Sequence, residues 1–191
     1  MKLLNNFSIL FFVLLIFLVS CDKRKQTLGE ITLLQKSLDS VLSTSAQIAP
    51  ENKTQTTELI IAYTDFANEY PEDSLAPKFL FEAARLRLFM QDYPSAMQLL
   101  NTVSEKYPDD MLAPSAIATA AGVCENVLKD CDKAAEYLMQ LKEKYPDHPA
   151  AVNIDMQIEY VCDPSGYLNA VTGRLSEEDS LLMEQPNDSI Q

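Results

Sequence analysis

Three segments of the chain place apolar side chains at the same helical spacing, and each segment ends at a Tyr-Pro pair. The spacing i, i+3, i+4, i+7, i+11 puts five side chains of each segment on one face of an α-helix. The three sets are Leu59, Ala62, Tyr63, Phe66, Tyr70; Ala96, Leu99, Leu100, Val103, Tyr107; and Ala134, Tyr137, Leu138, Leu141, Tyr145. Because the tyrosines of the three pairs follow one another at a nearly constant interval, the pattern predicts a helical repeat of that length.

A second helix is expected between consecutive members of this set. Proline ends each of the first helices, because it has no N–H to donate and disfavours the α conformation of the residue before it. Polar residues follow at once, and the pairs Asp73-Ser74 and Asp109-Asp110 offer side-chain oxygens that cap the next helix. The next helices carry small residues at matching places, Ala83-Ala84 and Ala120-Ala121-Gly122, which let a neighbouring helix approach closely. The repeated unit is therefore predicted to be a tight antiparallel helical hairpin.

This combination of features resembles the tetratricopeptide repeat (TPR). Small residues in the first helix are one feature of that repeat. A second is an alanine after a short turn, here Ala96 and Ala134, and a third is a proline at the end of the unit, here Pro108 and Pro146. The resemblance covers about Thr57 to Cys162. It implies an all-α fold at residues 28–173, a short right-handed α-solenoid of about three TPR-like helical hairpins.

The N-terminal side of the repeat region departs from this pattern. Five apolar residues between Leu28 and Ile48 follow one another at intervals of 3, 4, 3 and 7, which predicts a helix with a heptad-like seam: Ile31, Leu34, Leu38, Val41 and Ile48. The favoured interpretation pairs this helix with Thr57–Tyr70 as an irregular first hairpin, across a loop at Ser45–Gln55. The alternative is a coiled coil between chains, for which fewer than three heptads are weak support.

The C-terminal side departs as well. Asn153–Val161 begins a further hairpin, but Asp163–Gly166 has the Pro and Gly residues that interrupt a helix. A short helix at Tyr167–Val171 is expected to act as a capping element. Residues 174–191 are expected to form an acidic, mobile tail.

Residues 1–20 have the pattern of an export signal. Lys2 supplies a positive charge, and Phe7–Val19 supplies an apolar run. A membrane span needs about 20 apolar residues, so this shorter run has the length of a signal peptide instead. Residues 1–20 are therefore predicted to be removed.

Leu18-Val19-Ser20-Cys21 at the end of that run resembles a bacterial lipobox. The resemblance implies transfer of a diacylglyceryl group to the Cys21 thiol, cleavage before Cys21 and acylation of the new amine, with palmitate among the acyl chains. It also implies a lipidated tether at residues 21–27. Several acyl chains, at about 0.8 kcal/mol per buried methylene, hold a protein on a membrane more firmly than one chain does. The alternative is an uncleaved helix with a chance cysteine. Lys23-Arg24-Lys25 favours it, since basic residues after an apolar segment resist translocation.

Charge and composition exclude several classes of function. The chain has 28 acidic and 15 basic residues, a formal charge of −13, and loss of residues 1–20 leaves −14. Such an acidic chain is a poor partner for nucleic acid, whose phosphates require a basic surface. Four glycines leave no Gly-rich phosphate loop, and one histidine leaves little acid-base or metal chemistry. We expect no catalytic residue, no cofactor, no metal and no small-molecule substrate, and hence no enzyme.

Three cysteines besides Cys21 invite two interpretations. Cys124 and Cys162 lie equally far beyond the proline of their own repeat, so they are expected at equivalent sites, and Cys131 lies in the turn after Cys124. Packing of all three as small core residues is favoured. A disulfide between Cys131 and either Cys124 or Cys162 is the alternative in an oxidising compartment, and the sequence does not choose between them.

The remaining polar candidates have ordinary explanations. His148, the single histidine, lies in the third inter-repeat turn and is expected to be solvated. The pairs Glu72-Asp73 and Asp109-Asp110 have the composition of acid-base dyads, but their recurrence before a helix favours capping. A cell-wall-acting enzyme stays as an alternative of a different class. It requires carboxylates such as Asp73, Asp110 and Glu159 to converge in one pocket with raised pKa values.

The candidate binding surface lies on the first helix of a hairpin, which lines the concave groove in related repeats. Its residues are Lys78, Phe81, Arg85, Leu88 and Phe89. Arginine pairs well with carboxylates and aromatic residues are enriched in binding hot spots, so a peptide or a partner helix is the expected ligand. The alternative is that the phenylalanines are buried between hairpins and the arginines only balance the acidic background.

Lipobox and repeats together resemble the TPR lipoproteins of bacterial envelopes. Two families are similar: the lipoprotein of the outer-membrane β-barrel assembly machinery, and the Tol-Pal-associated periplasmic coordinator, whose repeats follow a short coiled coil. The resemblance implies a lipid-anchored envelope protein, on the outer membrane and facing the periplasm. Its expected role is a non-catalytic scaffold for protein partners in outer-membrane protein assembly or envelope maintenance. The alternative is an oligomeric coordinator that uses residues 28–48 as a coiled coil.

The lipobox hypothesis predicts the behaviour of Cys21→Ala. This variant should keep residues 1–20 and carry no acyl chain, because both steps require the cysteine thiol. Intact-mass spectrometry of the protein from membranes measures both properties at once. Recovery of a processed or acylated Cys21→Ala protein would refute the lipobox.

Overall fold

The computed structural model describes residues 23–39 and 53–183. Its helices are α1 at 23–39, α2 at Lys53–Glu69, α3 at Ala76–Phe89, α4 at Tyr93–Lys106, α5 at Leu112–Val123, α6 at Cys131–Lys144, α7 at Ile154–Glu159 and α8 at Pro164–Met183. A π-helical turn, Cys124–Leu128, extends α5, and a 3₁₀ turn, Pro149–Ala151, precedes α7. Within these described ranges all regular structure is helical, which confirms the predicted all-α class. Two compact units divide the chain between Leu99 and Leu100, inside α4.

In the first unit, α1 packs antiparallel against α2. Lys23 at the start of α1 forms an ion pair with Glu69 at the end of α2. Farther along α1, the Gln35 amide donates a hydrogen bond of 2.8 Å to the Tyr63 hydroxyl, earlier in α2. The predicted first hairpin is therefore confirmed.

The ends of α1 and α2 differ from the expected ones. α1 begins at residue 23 and not at 28, so residues 23–27 of the predicted tether are helical. α2 begins at Lys53, so the predicted loop extends too far at its C-terminal end. Ile31 and Leu38 of the heptad-like seam are buried. The rest of the seam beyond residue 39, the signal peptide and Cys21 lie outside the described residues.

Aromatic rings join α2 to α3. The Phe79 ring lies 4.9 Å from the Tyr63 ring, nearly parallel to it, and 4.9 Å from the Phe66 ring, edge-on. Such aromatic pairs contribute about 0.5–1.5 kcal/mol each beyond the burial of their surface. Ala83 and Ala84 are fully buried, as their small size predicts. One face of α3 is therefore buried in the core of the first unit.

The chain turns after each Tyr-Pro pair by the same set of hydrogen bonds. Asp73 donates its N–H to the Tyr70 carbonyl (3.0 Å), and its side chain accepts the N–H of Leu75 (2.9 Å). In the second turn Asp110 donates to Tyr107 (3.0 Å), and its side chain accepts the N–H of Leu112 (2.8 Å). Each carboxylate thus serves the start of the next helix as predicted. The N-cap residues proper are Leu75 and Met111, which make no side-chain capping bond.

The third turn has the same form with an imidazole in place of the carboxylate. His148 donates its N–H to the Tyr145 carbonyl (3.1 Å), and its Nδ1 accepts the N–H of Ala150 (3.1 Å). The Tyr145 hydroxyl also donates to the carbonyl of Pro108 in the preceding turn (2.7 Å). The single histidine therefore has a structural role in its turn, beyond the solvated side chain that the sequence predicts.

In the second unit, α5 and α6 form a hairpin, and most of the side chains that α5 buries are small. The buried small residues of α5 are Ala113, Ala116, Ala120 and Ala121, and the larger core residues around them are Ile117, Leu138, Leu141 and Ile154. The π-helical turn ends at Lys129, whose φ of 57° is in the left-handed region. Asp130 then caps α6 by accepting the N–H of Lys133 at 3.0 Å.

A disulfide joins Cys131, at the start of α6, to Cys162, in the turn between α7 and α8, with their Cα atoms 5.8 Å apart. Cys124 is a free, buried thiol whose pKa is raised by burial. Core packing is therefore the correct interpretation for Cys124 and the wrong one for the other two. The expected equivalence of Cys124 and Cys162 is also wrong, because Cys124 extends a helix and Cys162 lies in a turn.

The C-terminal helix is longer than predicted. α8 runs from Pro164 to Met183, whereas the sequence predicts a short helix at Tyr167–Val171. Residues 174–183, assigned to an acidic tail, continue this helix, and residues 184–191 lie outside the described part of the chain. The predicted interruption at Asp163–Gly166 lies too far toward the C-terminus, because residues 160–163 separate α7 from α8, whereas Pro164 and Gly166 belong to the first turn of α8. The Gly166 N–H donates to Asp163 (2.9 Å) there, and a Cβ on Gly166 would lie 2.7 Å from the Tyr160 ring.

Loss of the disulfide should destabilise the second unit. Changing Cys131 and Cys162 together to serine should lower the free energy of unfolding by about 3–4 kcal/mol, because the bond joins residues that are 31 positions apart in the chain. Guanidinium unfolding followed by circular dichroism measures this change. A reductant should bring the wild-type protein to the same midpoint and leave the double variant unchanged. An unaltered midpoint in the variant would contradict a stabilising role.

Candidate functional site

A groove of about 860 Å³ lies in the first unit between α1, α2 and α3. One wall is a face of α3 formed by Lys78, Glu82, Arg85 and Phe89. The spacing i, i+4, i+7, i+11 places these four side chains on one side of a helix. The groove wall and the core face built around Phe79 are thus different faces of the same helix.

The other wall and the floor come from α1 and α2. Lys36 and Asp39 belong to the α1 wall, together with Gln35, whose amide is bonded to the Tyr63 hydroxyl. Tyr63 and Leu59 of α2 form part of the floor. The pKa of the Tyr63 hydroxyl is raised, mainly by burial, so the phenol stays protonated at neutral pH. The floor is therefore apolar apart from one satisfied hydroxyl.

Charges of both signs surround this apolar floor. Lys78, Arg85 and Lys36 supply positive charge, and Glu82 and Asp39 supply negative charge. Arg85 forms an ion pair with Glu82 at 3.0 Å within α3, but its side chain is largely exposed. Exposed pairs of this kind are worth little, so the guanidinium can exchange partners at small cost. Phe89 has 49% of its surface exposed, which is high for an aromatic ring in a folded unit.

The structure brings together three of the five residues that the sequence selects. Lys78, Arg85 and Phe89 line the groove, whereas Phe81 and Leu88 are half-buried on other faces of α3. The alternative of fully buried phenylalanines does not hold for Phe89. Whether these residues bind a partner stays a prediction.

Most residues of the groove are absent from the sequence prediction. Glu82 and Leu86 are among them, although Glu82 lies one helical turn after Lys78 and the helical spacing alone indicates the shared face. The opposite wall, formed by α1, and the Tyr63 floor are absent as well. No local signal identifies these residues, because only the antiparallel packing of α1 brings them to α3.

Paired charges occupy the end of the first unit where α1 begins. We call this surface the basal end, and its charged residues are Lys23, Arg24, Lys25, Glu69, Glu72 and Asp73. Lys23 pairs with Glu69, and Arg24 donates to Asp73, whose side chain is only 11% exposed. The hydrogen bond from Arg24, with a further one from the Leu75 N–H, lowers the pKa of the Asp73 carboxyl. Asp73 thus connects α1 to the turn that begins α3.

The carboxylates proposed for an enzyme do not have the required setting. Asp73 lies in the turn before α3, Asp110 in the turn before α5, and Glu159 at the end of α7. The pKa of Asp73 is lowered, which is opposite to the raised value that the hypothesis requires. Asp73 and Asp110 accept backbone N–H groups, so capping explains both of them.

Among the residues that the structure describes, no group of three or more histidine, cysteine, aspartate or glutamate side chains has a geometry that could hold a metal ion. None of their helices combines the length and apolar character needed to cross a membrane.

Comparison with known families supports the interpretation of the repeats. Residues 79–110 and 120–148 match the family model of the tetratricopeptide repeat, and together they make up about a third of the chain. No curated protein matches the chain. The chain therefore contains two TPR segments, which lie within the region α3–α6 and its turns. Proteins with such repeats are typically non-catalytic scaffolds for protein–protein interaction.

The Arg24–Asp73 pair should stabilise the first unit in a pH-dependent way. Arg24→Met should lower the free energy of unfolding at pH 7 by about 1 kcal/mol, since Arg24 is partly exposed. Because the folded-state pKa of Asp73 is lowered, the pair contributes above about pH 4, the unfolded value, and loses its contribution as pH falls through the folded value.

Urea unfolding at pH 7 and at a series of lower pH values measures this difference. The wild-type and Arg24→Met curves should converge at acid pH. Lys25→Met is the matched control, because it removes the same charge from an exposed neighbouring position. A deficit in Arg24→Met that is the same at every pH would show that the Asp73 charge is not involved.

Proposed function

We propose that this protein is a membrane-anchored lipoprotein of the bacterial envelope that acts as a non-catalytic scaffold for protein–protein interaction. Its proposed role is in outer-membrane protein assembly or envelope maintenance, with attachment through acylated Cys21. The observation that carries the proposal is the groove of the first unit, where Phe89 stands exposed above an apolar floor.

The groove suits a segment of a partner protein. Its volume of about 860 Å³ accommodates several side chains, and its walls offer Lys78, Arg85 and Lys36 to carboxylates and Asp39 to a cation. Tyrosine, phenylalanine and arginine are residues that make large contributions at interfaces. Tyr63 is already fixed by its bond to Gln35, so little conformational freedom is lost there on binding. A peptide with an apolar anchor and charged neighbours is the expected ligand.

The proposed envelope location depends on the lipobox. The apolar run at Phe7–Val19, followed by Ser20-Cys21, is the sequence feature that supports it. The disulfide between Cys131 and Cys162 agrees with an oxidising compartment such as the periplasm.

The alternative of an oligomer held by an N-terminal coiled coil loses support in the described residues. A coiled coil needs the apolar seam of α1 at an interface between chains. Ile31 and Leu38 are instead buried in the core of their own chain, in one cluster with Leu59 and Ile60 of α2. Opening that seam would expose core residues, so the interaction groove is the better candidate surface.

Site-specific photocrosslinking in living cells tests the scaffold function. A photoreactive amino acid at position 89 should form adducts with a defined partner, because this ring lines the groove. Position 61 is the matched control: Ile61 also has 49% of its surface exposed, but it does not line the groove. Adducts should be several-fold more abundant at 89 than at 61.

The double variant Lys78→Glu/Arg85→Glu provides a second comparison. It reverses the positive charge of the α3 wall and should reduce the adducts at position 89, while its circular dichroism stays that of a folded helical protein. Equal adducts at 89 and 61, or adducts insensitive to the charge reversal, would contradict a groove-mediated interaction.

A further inference from the structure

We infer that the first unit docks end-on against the lipid bilayer, with the basal end toward the headgroups and the far ends of α1 and α3 away from them. The inference rests on the proposed acylation of Cys21. It adds to that proposal a membrane-facing surface and a fixed orientation, which a flexible tether would not give.

Only a short length of chain separates the proposed anchor from the fold. α1 begins at residue 23, two residues after Cys21. Two residues span at most about 7 Å, so Lys23 cannot lie far from the acylated cysteine. Lys23 and Arg24 are themselves fixed to the rest of the unit through Glu69 and Asp73. The connection to the lipid is therefore short and ends in residues with tertiary contacts.

Three helices begin or end at the basal end. α1 starts there, the antiparallel α2 ends there at Glu69, and α3 starts after the turn that contains Asp73. With a rise of about 1.5 Å per residue, α1 extends about 25 Å and α3 about 21 Å from their first residues. An anchor at this end places the opposite ends of both helices farthest from the acyl chains.

The charges of the basal end are balanced. The basal end carries three basic residues and three acidic ones in its described part, although the whole chain has a net charge of −13. A surface that contains anionic lipid repels acidic protein faces. The described residues of the first unit are themselves nearly balanced, with eight basic and nine acidic side chains. Charge therefore permits contact through the basal end, and the position of the anchor selects this end.

The orientation determines where a partner meets the groove. On α1, Lys36 lies between three and four helical turns beyond Lys23, and on α3, Phe89 lies equally far beyond Ala76. Each separation corresponds to about 20 Å along a helix. The upper part of the groove therefore stands about 20 Å above the basal end. A partner segment must be projected from the membrane or be peripheral to it in order to reach Phe89.

Headgroup quenching of a fluorophore at two matched positions tests the orientation. Ser74 lies in the turn at the basal end and Gln91 lies just beyond the far end of α3, and both are exposed. Ser74→Cys and Gln91→Cys are labelled separately in the full-length acylated protein. Because Cys124 is buried and Cys131 and Cys162 are bonded, the label goes to the new thiol. The proteins are placed in phosphatidylethanolamine–phosphatidylglycerol vesicles that contain a nitroxide-headgroup lipid.

Quenching should be several-fold stronger at position 74 than at position 91. Insertion of a long Gly-Ser linker between Asp22 and Lys23 should bring the two values together, because the unit then rotates freely. Equal quenching at both positions without the linker, in a protein whose acylation is verified by mass spectrometry, would overturn the orientation alone. Absence of acyl chains from Cys21 would overturn the proposed function and this inference together.

Discussion

The turn after each Tyr-Pro pair is the constraint on which the helical arrangement depends. Proline stops the helix, and the residue three places after the tyrosine then closes the turn through its backbone N–H and its side chain. Asp73 and Asp110 use a carboxylate oxygen for this purpose, and His148 uses Nδ1. Since the three turns share this geometry, each following segment starts in the same relation to its tyrosine. What the position requires is an acceptor atom at the correct reach, and negative charge is not essential.

Helix α3 has one face in the core of the first unit and another face in the groove. The stability of the unit and the geometry of the candidate site therefore depend on the same helix. Phe79 and Ala83 fix one face of the helix in the core of the first unit, and this packing determines where the side chains of the groove face point. The backbone of α3 then holds Lys78, Arg85 and Phe89 in the groove wall, where Arg85 also pairs with Glu82. A rigid element that presents exposed residues in this way reduces the entropy lost on binding. The groove is thus largely a consequence of how the core packs.

The sequence predicts the local features well and the long-range ones poorly. Helical spacing and Tyr-Pro pairs are sufficient for α2, α4 and α6, because both signals act over a few residues. The start of α1 at residue 23 is missed, since it depends on ion pairs with Glu69 and Asp73, far along the chain. Half of the groove is missed for the same reason. The disulfide is left undecided because Cys131 has two candidate partners, and only the packing of α7 selects Cys162.

The three cysteines of the second unit also bear on how the chain reaches its oxidised state. Cys131 is much closer in sequence to Cys124 than to Cys162, so in an unfolded chain the nearer thiol collides with it more often. The native bond is nevertheless the distant one. Burial of Cys124 in the second unit limits access to the nearer thiol and raises its pKa, which lowers the fraction of reactive thiolate. Packing of the α5–α6 hairpin around Cys124 therefore favours the bond between Cys131 and Cys162 over the bond between the two nearer cysteines.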